Sequence, residues 1–227
     1  VFEGVLAVIA FFPFCTTPLI ADDFLNPFYQ VTARGIGVRS SIRYGWDIGT
    51  GTVSFRPVGA IIGSVYTWLW IEISSRLRID LTVLFGLTKF ALYVAMSTIL
   101  AEIVLATVKP GSLSNENTQA IRQKTRLAFI CVLGLTLQIH AHWSNDPVSN
   151  YPISGLGATA FGLLLILLGL RIRNRPTLLG AMMLAVLGVV AVWYYEMLFG
   201  AVIGAGIVAI TPRRSTRLYV DWRGGLR

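Results

Sequence analysis

Val58-Gly59-Ala60-Ile61-Ile62-Gly63-Ser64-Val65-Tyr66-Thr67-Trp68-Leu69-Trp70-Ile71-Glu72-Ile73 is the stretch on which the topology of this chain turns. It is apolar enough to form a helix, and whether that helix crosses a bilayer decides which side every later loop occupies. Composition makes the bilayer the relevant solvent. Of the residues, 55% are hydrophobic and 13% charged, and the mean hydropathy is +0.68, whereas roughly a quarter of a soluble domain is charged. The fold class expected is all-α, a polytopic membrane helix bundle.

Working outward from this stretch, apolar runs at 4–20, 81–108, 127–141 and 155–170 each read as one span, and 178–210 reads as two. That last run is too long for one span, and Trp193-Tyr194-Tyr195-Glu196 at its middle suits a turn at the membrane interface. If 58–73 stays on the surface, the basic connectors 109–126, 171–177 and 212–217 share one side, and the loop 142–154, which has no Lys or Arg, falls on the other. Nearly every short-loop cation is then cytoplasmic. If 58–73 crosses, Arg171, Arg173 and Arg175 are exported instead. The stretch is therefore expected to lie along the outer surface, with Gly59, Gly63 and Thr67 as a small-residue stripe and Trp68 and Trp70 at headgroup depth. About six spanning helices result, in a single transmembrane domain over 1–227. Its first outer loop is 21–80, where glycines 35, 37, 45, 49 and 51 are expected to make turns. The abrupt ends at Val1 and Arg227 read as part of a longer chain.

A net charge of +8 raises nucleic acid as a partner, but the cations sit between apolar runs and form no aromatic-interleaved stripe. No nucleic-acid partner is expected. Cys15 and Cys131 fall in apolar runs whose topology places them in opposite leaflets, too far apart to be bridged. No Gly-rich phosphate loop and no nucleotide-sugar domain is visible.

The candidates for chemistry lie around the outer mouth. Asp22 and Asp23 stand where the first apolar run ends, and carboxylates at such a boundary suggest function. Either of them also suits the N-cap of a following helix. Arg56 is suited to gripping a phosphate bidentately, or to snorkelling at the interface. Lys89 lies roughly 12 Å below Asp80 at the helical rise, deep enough to need either a lipid phosphate or an acidic partner. His140 and His142, two apart, do not face each other on a helix and make a poor metal pair, though either can donate to a phosphate or an acceptor. Glu196 lines the same mouth or caps the last helix. Glu102, near the opposite end, reads as structural. No cofactor is called for, and a divalent cation is left open.

Taken in order, Asp22-Asp23, Phe55-Arg56-Pro57-Val58, Leu77-Arg78-Ile79-Asp80 leading into Leu81, and Tyr195-Glu196 resemble the type-C integral membrane glycosyltransferases that use polyprenyl-phosphate sugars. The resemblance implies transfer of a sugar from a lipid-linked donor to a glycan or lipid acceptor hydroxyl on the outer face; the apolar economy and the lack of an organellar signal point to a bacterial plasma membrane as the expected setting. Asp22 would be the base, and Asp23 would orient the acceptor. Arg56, Lys89, His140, His142, Tyr195 and Glu196 would bind substrate. A sugar hydroxyl needs its proton removed in the transition state, and the leaving phosphate needs fixed donors, so the residue types suit the reaction. Members of that family have more than six spans, and many carry an outer soluble domain. The alternative is accordingly a non-catalytic membrane subunit on the same scaffold, binding lipid or other membrane subunits. A small transporter lacks the interrupted helices in repeated halves that it would need.

Overall fold

The computed structural model describes residues 2–15, 37–51, 55–107, 115–140 and 152–211. Among the described residues the chain is all-helical, with no strand. The helices are α1 (Phe2–Cys15), α2 (Val38–Gly51), α3 (Pro57–Leu77), α4 (Leu81–Thr107), α5 (Asn115–His140), α6 (Ala158–Asn174), α7 (Leu178–Tyr194) and α8 (Leu198–Ile210), with a π-helical turn at Pro152–Gly157 leading into α6.

The hairpin of α3 and α4 follows from local chemistry. Pro57 opens α3, where a missing N–H costs nothing. Arg78, at φ 54°, ends it in a left-handed cap, and Asp80 accepts from the Thr82 N–H at 2.8 Å to start α4. Among the described residues two helices are long and apolar enough to cross a membrane: Leu81–Thr107, and Gly155–Asn174 with the end of the π turn included. Shorter apolar helices are Phe2–Phe12, Leu178–Tyr194 and Leu198–Ile210. Leu179, Met182, Val186 and Val189 on α7, and Phe199, Ile203, Ile207 and Ile210 on α8, stand exposed.

Interhelical contacts give the directions. Glu102, late in α4, takes Arg122 at 3.1 Å and Arg126 at 3.2 Å from the first half of α5, so α4 and α5 run antiparallel. Tyr93 of α4 shares a core with Leu156 and Ala160, while Asn174 donates to the Ala106 carbonyl at 3.1 Å, so α6 runs parallel to α4. Gly162 faces Leu198 and Ala201, and Gly169 lies against the backbone of Ala205, which makes α8 parallel to α6. Between them α7 returns, from Gly180 beside Ile172 to Tyr194 beside Phe161. Phe11 of α1 is fully buried, stacked on Tyr93 at 5.3 Å and edge-on to Phe90 at 6.5 Å. Near it, Ala10 approaches Gly134 of α5.

One end of the bundle thus gathers the starts of α4, α6 and α8 and the end of α7, and the other gathers Glu102, Arg122, Arg126 and Asn174. Among the described residues, helix α3 meets the bundle at the first of these ends. Its start meets Tyr194 at Gly59. Its second half meets the first turns of α4, where Tyr66 lies edge-on to Phe85 at 5.2 Å and Trp70 donates to Thr88 at 3.1 Å. Contacts at both places require α3 to lie across that end rather than run down the bundle.

Several sequence expectations are corrected. The outer loop is not all turns: Val38–Gly51 is a helix in which Gly45 and Gly49 serve packing while Gly51 faces open space, and Gly35 lies outside the described residues. A Cβ on Gly45 would stand 2.5 Å from the Ile61 Cα, and one on Gly49 2.5 Å from the Pro57 Cα, so α2 lies backbone-close on α3. In the proposed stripe, Gly59 and Thr67 are packed, but Gly63 has nothing within 4 Å of a Cβ position, and Ser64 is the buried neighbour. The polar connector 109–126 is helical from Asn115, held to α4 by Glu102. Arg171 and Arg173 belong to the last turn of α6, which continues to Asn174, rather than to a short loop.

Candidate functional site

The site forms where α3 begins and α7 ends. Residues 178–210 break as their sequence suggests. Tyr195 leaves the helix in an extended conformation, and Leu198 and Phe199 restart it by donating to the Tyr195 and Glu196 carbonyls at 2.9 and 3.1 Å. This break exposes backbone and side chains that an unbroken helix would hide, and α3 starts against it. A Cβ on Gly59 would collide with the Tyr194 carbonyl, so only glycine permits this approach.

Three aromatic and cationic contacts lock the junction. The Arg56 guanidinium lies over the Tyr195 ring, 5.5 Å from its centroid. Phe55 meets Trp193 edge-on at 6.3 Å. The buried Tyr194 lies edge-on to Phe161 at 6.0 Å, and its hydroxyl donates to the Ile153 carbonyl in the π turn. The Arg56 N–H is fixed by the Gly49 carbonyl at 3.0 Å, so α2 sets where the guanidinium starts. Among the described residues, no carboxylate lies within ion-pair distance of Arg56. A cation at a helix start, where the peptide dipoles are already positive, favours an anion there.

Beside this junction α7 and α8 part to leave an open apolar groove of about 590 Å³. It runs from Trp193 and Val192 past Gly188 to Ala181 and Ile210. Trp193 therefore belongs both to the groove's upper mouth and, through Phe55, to the Arg56 junction.

The structure brings Arg56 and Tyr195 together, and Glu196 stands exposed in the same break. Lys89 is buried, 1% exposed, on the face of α4 that also carries Phe85 and Tyr93. The crossing of α3 over α4 nearest to it, at Tyr66 and Trp70, is roughly 15 to 20 Å along α3 from Arg56 at the helical rise. Asp22, Asp23 and His142 lie outside the described residues, and of His140 only the backbone is described, as the last residue of α5. Trp193, Tyr194 and Ile153 were not read from sequence as site residues. Their signal is the aromatic cluster itself, since Trp193-Tyr194-Tyr195 in the middle of an apolar run marks a break whose rings need partners.

No family model matches the chain, and no curated protein or solved structure matches it significantly.

Proposed function

We propose that this chain is an integral membrane glycosyltransferase of the type-C kind, moving a sugar from a polyprenyl-phosphate donor to an acceptor hydroxyl outside a bacterial plasma membrane. In this reading α1, α4, α5, α6, α7 and α8 cross the bilayer, and α3 lies at its outer surface. The apolar side chains exposed along α7 and α8 support the membrane setting, because a water-facing surface seldom carries them so densely. The observation that carries the functional reading is Arg56 on Tyr195, next to Phe55 and Trp193, where Trp193 also lines an apolar groove. A guanidinium without a carboxylate partner among the described residues, near an apolar furrow, suits a ligand with an anionic head and an apolar tail.

The donor phosphate would sit on Arg56 and its chain in the α7–α8 groove. Asp22 would take the acceptor proton as the hydroxyl oxygen bonds the anomeric carbon and the sugar–phosphate bond breaks, releasing polyprenyl phosphate. Asp23 and Glu196 would orient the acceptor. His140 and His142 would serve as further donors to phosphate or acceptor, and Lys89, buried away from Arg56, would not touch that phosphate.

The test is transfer in proteoliposomes supplied with a polyprenyl-phosphate sugar. Asp22→Asn is expected to lower turnover by about 10²- to 10⁴-fold while leaving donor KM nearly unchanged. Full activity in that variant would sink the catalytic assignment and leave a non-catalytic lipid- or partner-binding subunit as the reading.

A further inference from the structure

At the end of the bundle opposite Arg56, polar groups converge on one turn of α4. Glu102 and Ala106, a helical turn apart on the same face, receive Arg122 and Arg126 from α5 and the Asn174 amide from α6. Glu102 is thus shared between two guanidiniums, and a positive charge remains. Arg173 adds another from the residue beside Asn174, and Arg171 and Arg175 flank it.

The hydrogen bonding here is incomplete. The Nε of Arg126, the Nε of Arg173 and the Oδ1 of Asn174 are buried without partners among the described residues. Native proteins rarely leave such atoms unpaired, and here Arg126 and Asn174 both reach the Glu102–Ala106 turn, with Arg173 next to Asn174 in the chain, which calls for a ligand or bound water. The inventory is specific: two cationic donors that want anionic oxygens, and one acceptor that wants a hydroxyl or ammonium proton.

We propose that this cluster, framed by α4, α5 and α6, binds the headgroup of an anionic glycerophospholipid that carries a donor besides its phosphate, phosphatidylglycerol being the simplest. The phosphate lies against Arg126 and Arg173, and a glycerol hydroxyl donates to Asn174. Basic pockets between spanning helices on the cytoplasmic side are suited to such headgroups. The proposal rests on the membrane setting of the preceding section but not on glycosyl transfer.

Protein extracted from membranes in detergent is exchanged into mixed micelles holding phosphatidylglycerol or phosphatidylcholine at equal mole fraction, and retained lipid is counted by native mass spectrometry. The wild-type chain should retain one phosphatidylglycerol in clear preference to phosphatidylcholine. Arg173→Gln should cut that preference roughly fivefold, the scale of one cation near an anionic lipid. Arg126→Lys, which keeps the charge but loses the fork, should weaken it while preserving the fold. Equal retention of the two lipids, or a preference untouched by both variants, overturns the site. Inorganic phosphate that raises the melting temperature while phosphatidylglycerol shows no preference marks a free-anion site and also overturns it. Recovery of the chain in the soluble fraction fails the membrane setting, and this proposal with it.

Discussion

Arg56 and Tyr195, one at the start of α3 and the other just past the end of α7, meet with the guanidinium 5.5 Å from the ring centroid. The ring holds the cation by its face, leaving the N–H edges of the guanidinium for an anion. Tyr195→Phe keeps that face and should leave donor KM within about twofold, whereas Tyr195→Leu removes about 0.5 to 1 kcal/mol of attraction and should raise it by several-fold. Arg56→Ala should cost about 10²- to 10³-fold in kcat/KM, with Arg56→Lys in between. Steady-state transfer kinetics in proteoliposomes check all three; wild-type kinetics in Arg56→Ala would remove Arg56 from the site.

Glycines in this chain divide by what stands next to them, and alanine substitution should reveal the division. Gly45→Ala and Gly49→Ala drive a methyl into the α3 backbone and should destabilise by about 1 to 3 kcal/mol. Gly169→Ala should do the same, because its Cβ would stand 2.5 Å from the Ala205 carbonyl oxygen. Gly63→Ala meets open space inside a helix and should stabilise by about 0.5 to 1 kcal/mol. Thermal unfolding in detergent gives the sign of each; a stabilising Gly45→Ala would mean that α2 does not lie on α3.

Tyr194 ties the break to the π turn through its hydroxyl and the Ile153 carbonyl. Tyr194→Phe preserves the ring contact with Phe161 but strands that carbonyl, at a cost of about 1 to 2 kcal/mol. Hydrogen exchange at residues 152–157 should quicken in the variant. Unchanged exchange there would show that the bond does not hold the turn.

Glu102 is shared by two guanidiniums that are about half and a third exposed, Arg122 at 48% and Arg126 at 34%. Each pair is worth less than a buried one because solvent screens it, so Glu102→Gln should destabilise by only about 1 to 2 kcal/mol. A double-mutant cycle with Arg126→Gln isolates the pair; a coupling indistinguishable from zero would assign the stability to packing alone.

The two ends of the bundle should also differ in access. With Cys15 and Cys131 replaced by serine, a cysteine at position 196 should react with an impermeant thiol reagent applied outside whole cells. One at 175 should react only after permeabilisation. Both positions are exposed in the fold, so burial cannot explain a difference between them. The reverse pattern would invert the topology and displace the proposed function.

Local chemistry was enough to read the helical class, the long apolar helix α4, the helix over 58–73 that became most of α3, and the break at Tyr195. Long apolar runs, a Pro at a helix start and an aromatic–acidic interruption act within a few residues, and the sequence carries them openly. The helix α2 and the early start of α5 were not read, although α2 does place its apolar residues to one side of a helix. Gly45 and Gly49 read as turn formers until α3 is seen lying on them, and residues 115–126 read as a connector until Glu102 of α4 is seen holding Arg122 and Arg126. The pairing of Arg56 with Tyr195 belongs to the same class. Sequence named both as candidates, but only the laying of α3 across the end of the bundle, permitted by the missing side chain of Gly59, puts the guanidinium over the ring. Such contacts depend on how elements far apart in the chain pack together, and local residue preferences hold no record of that.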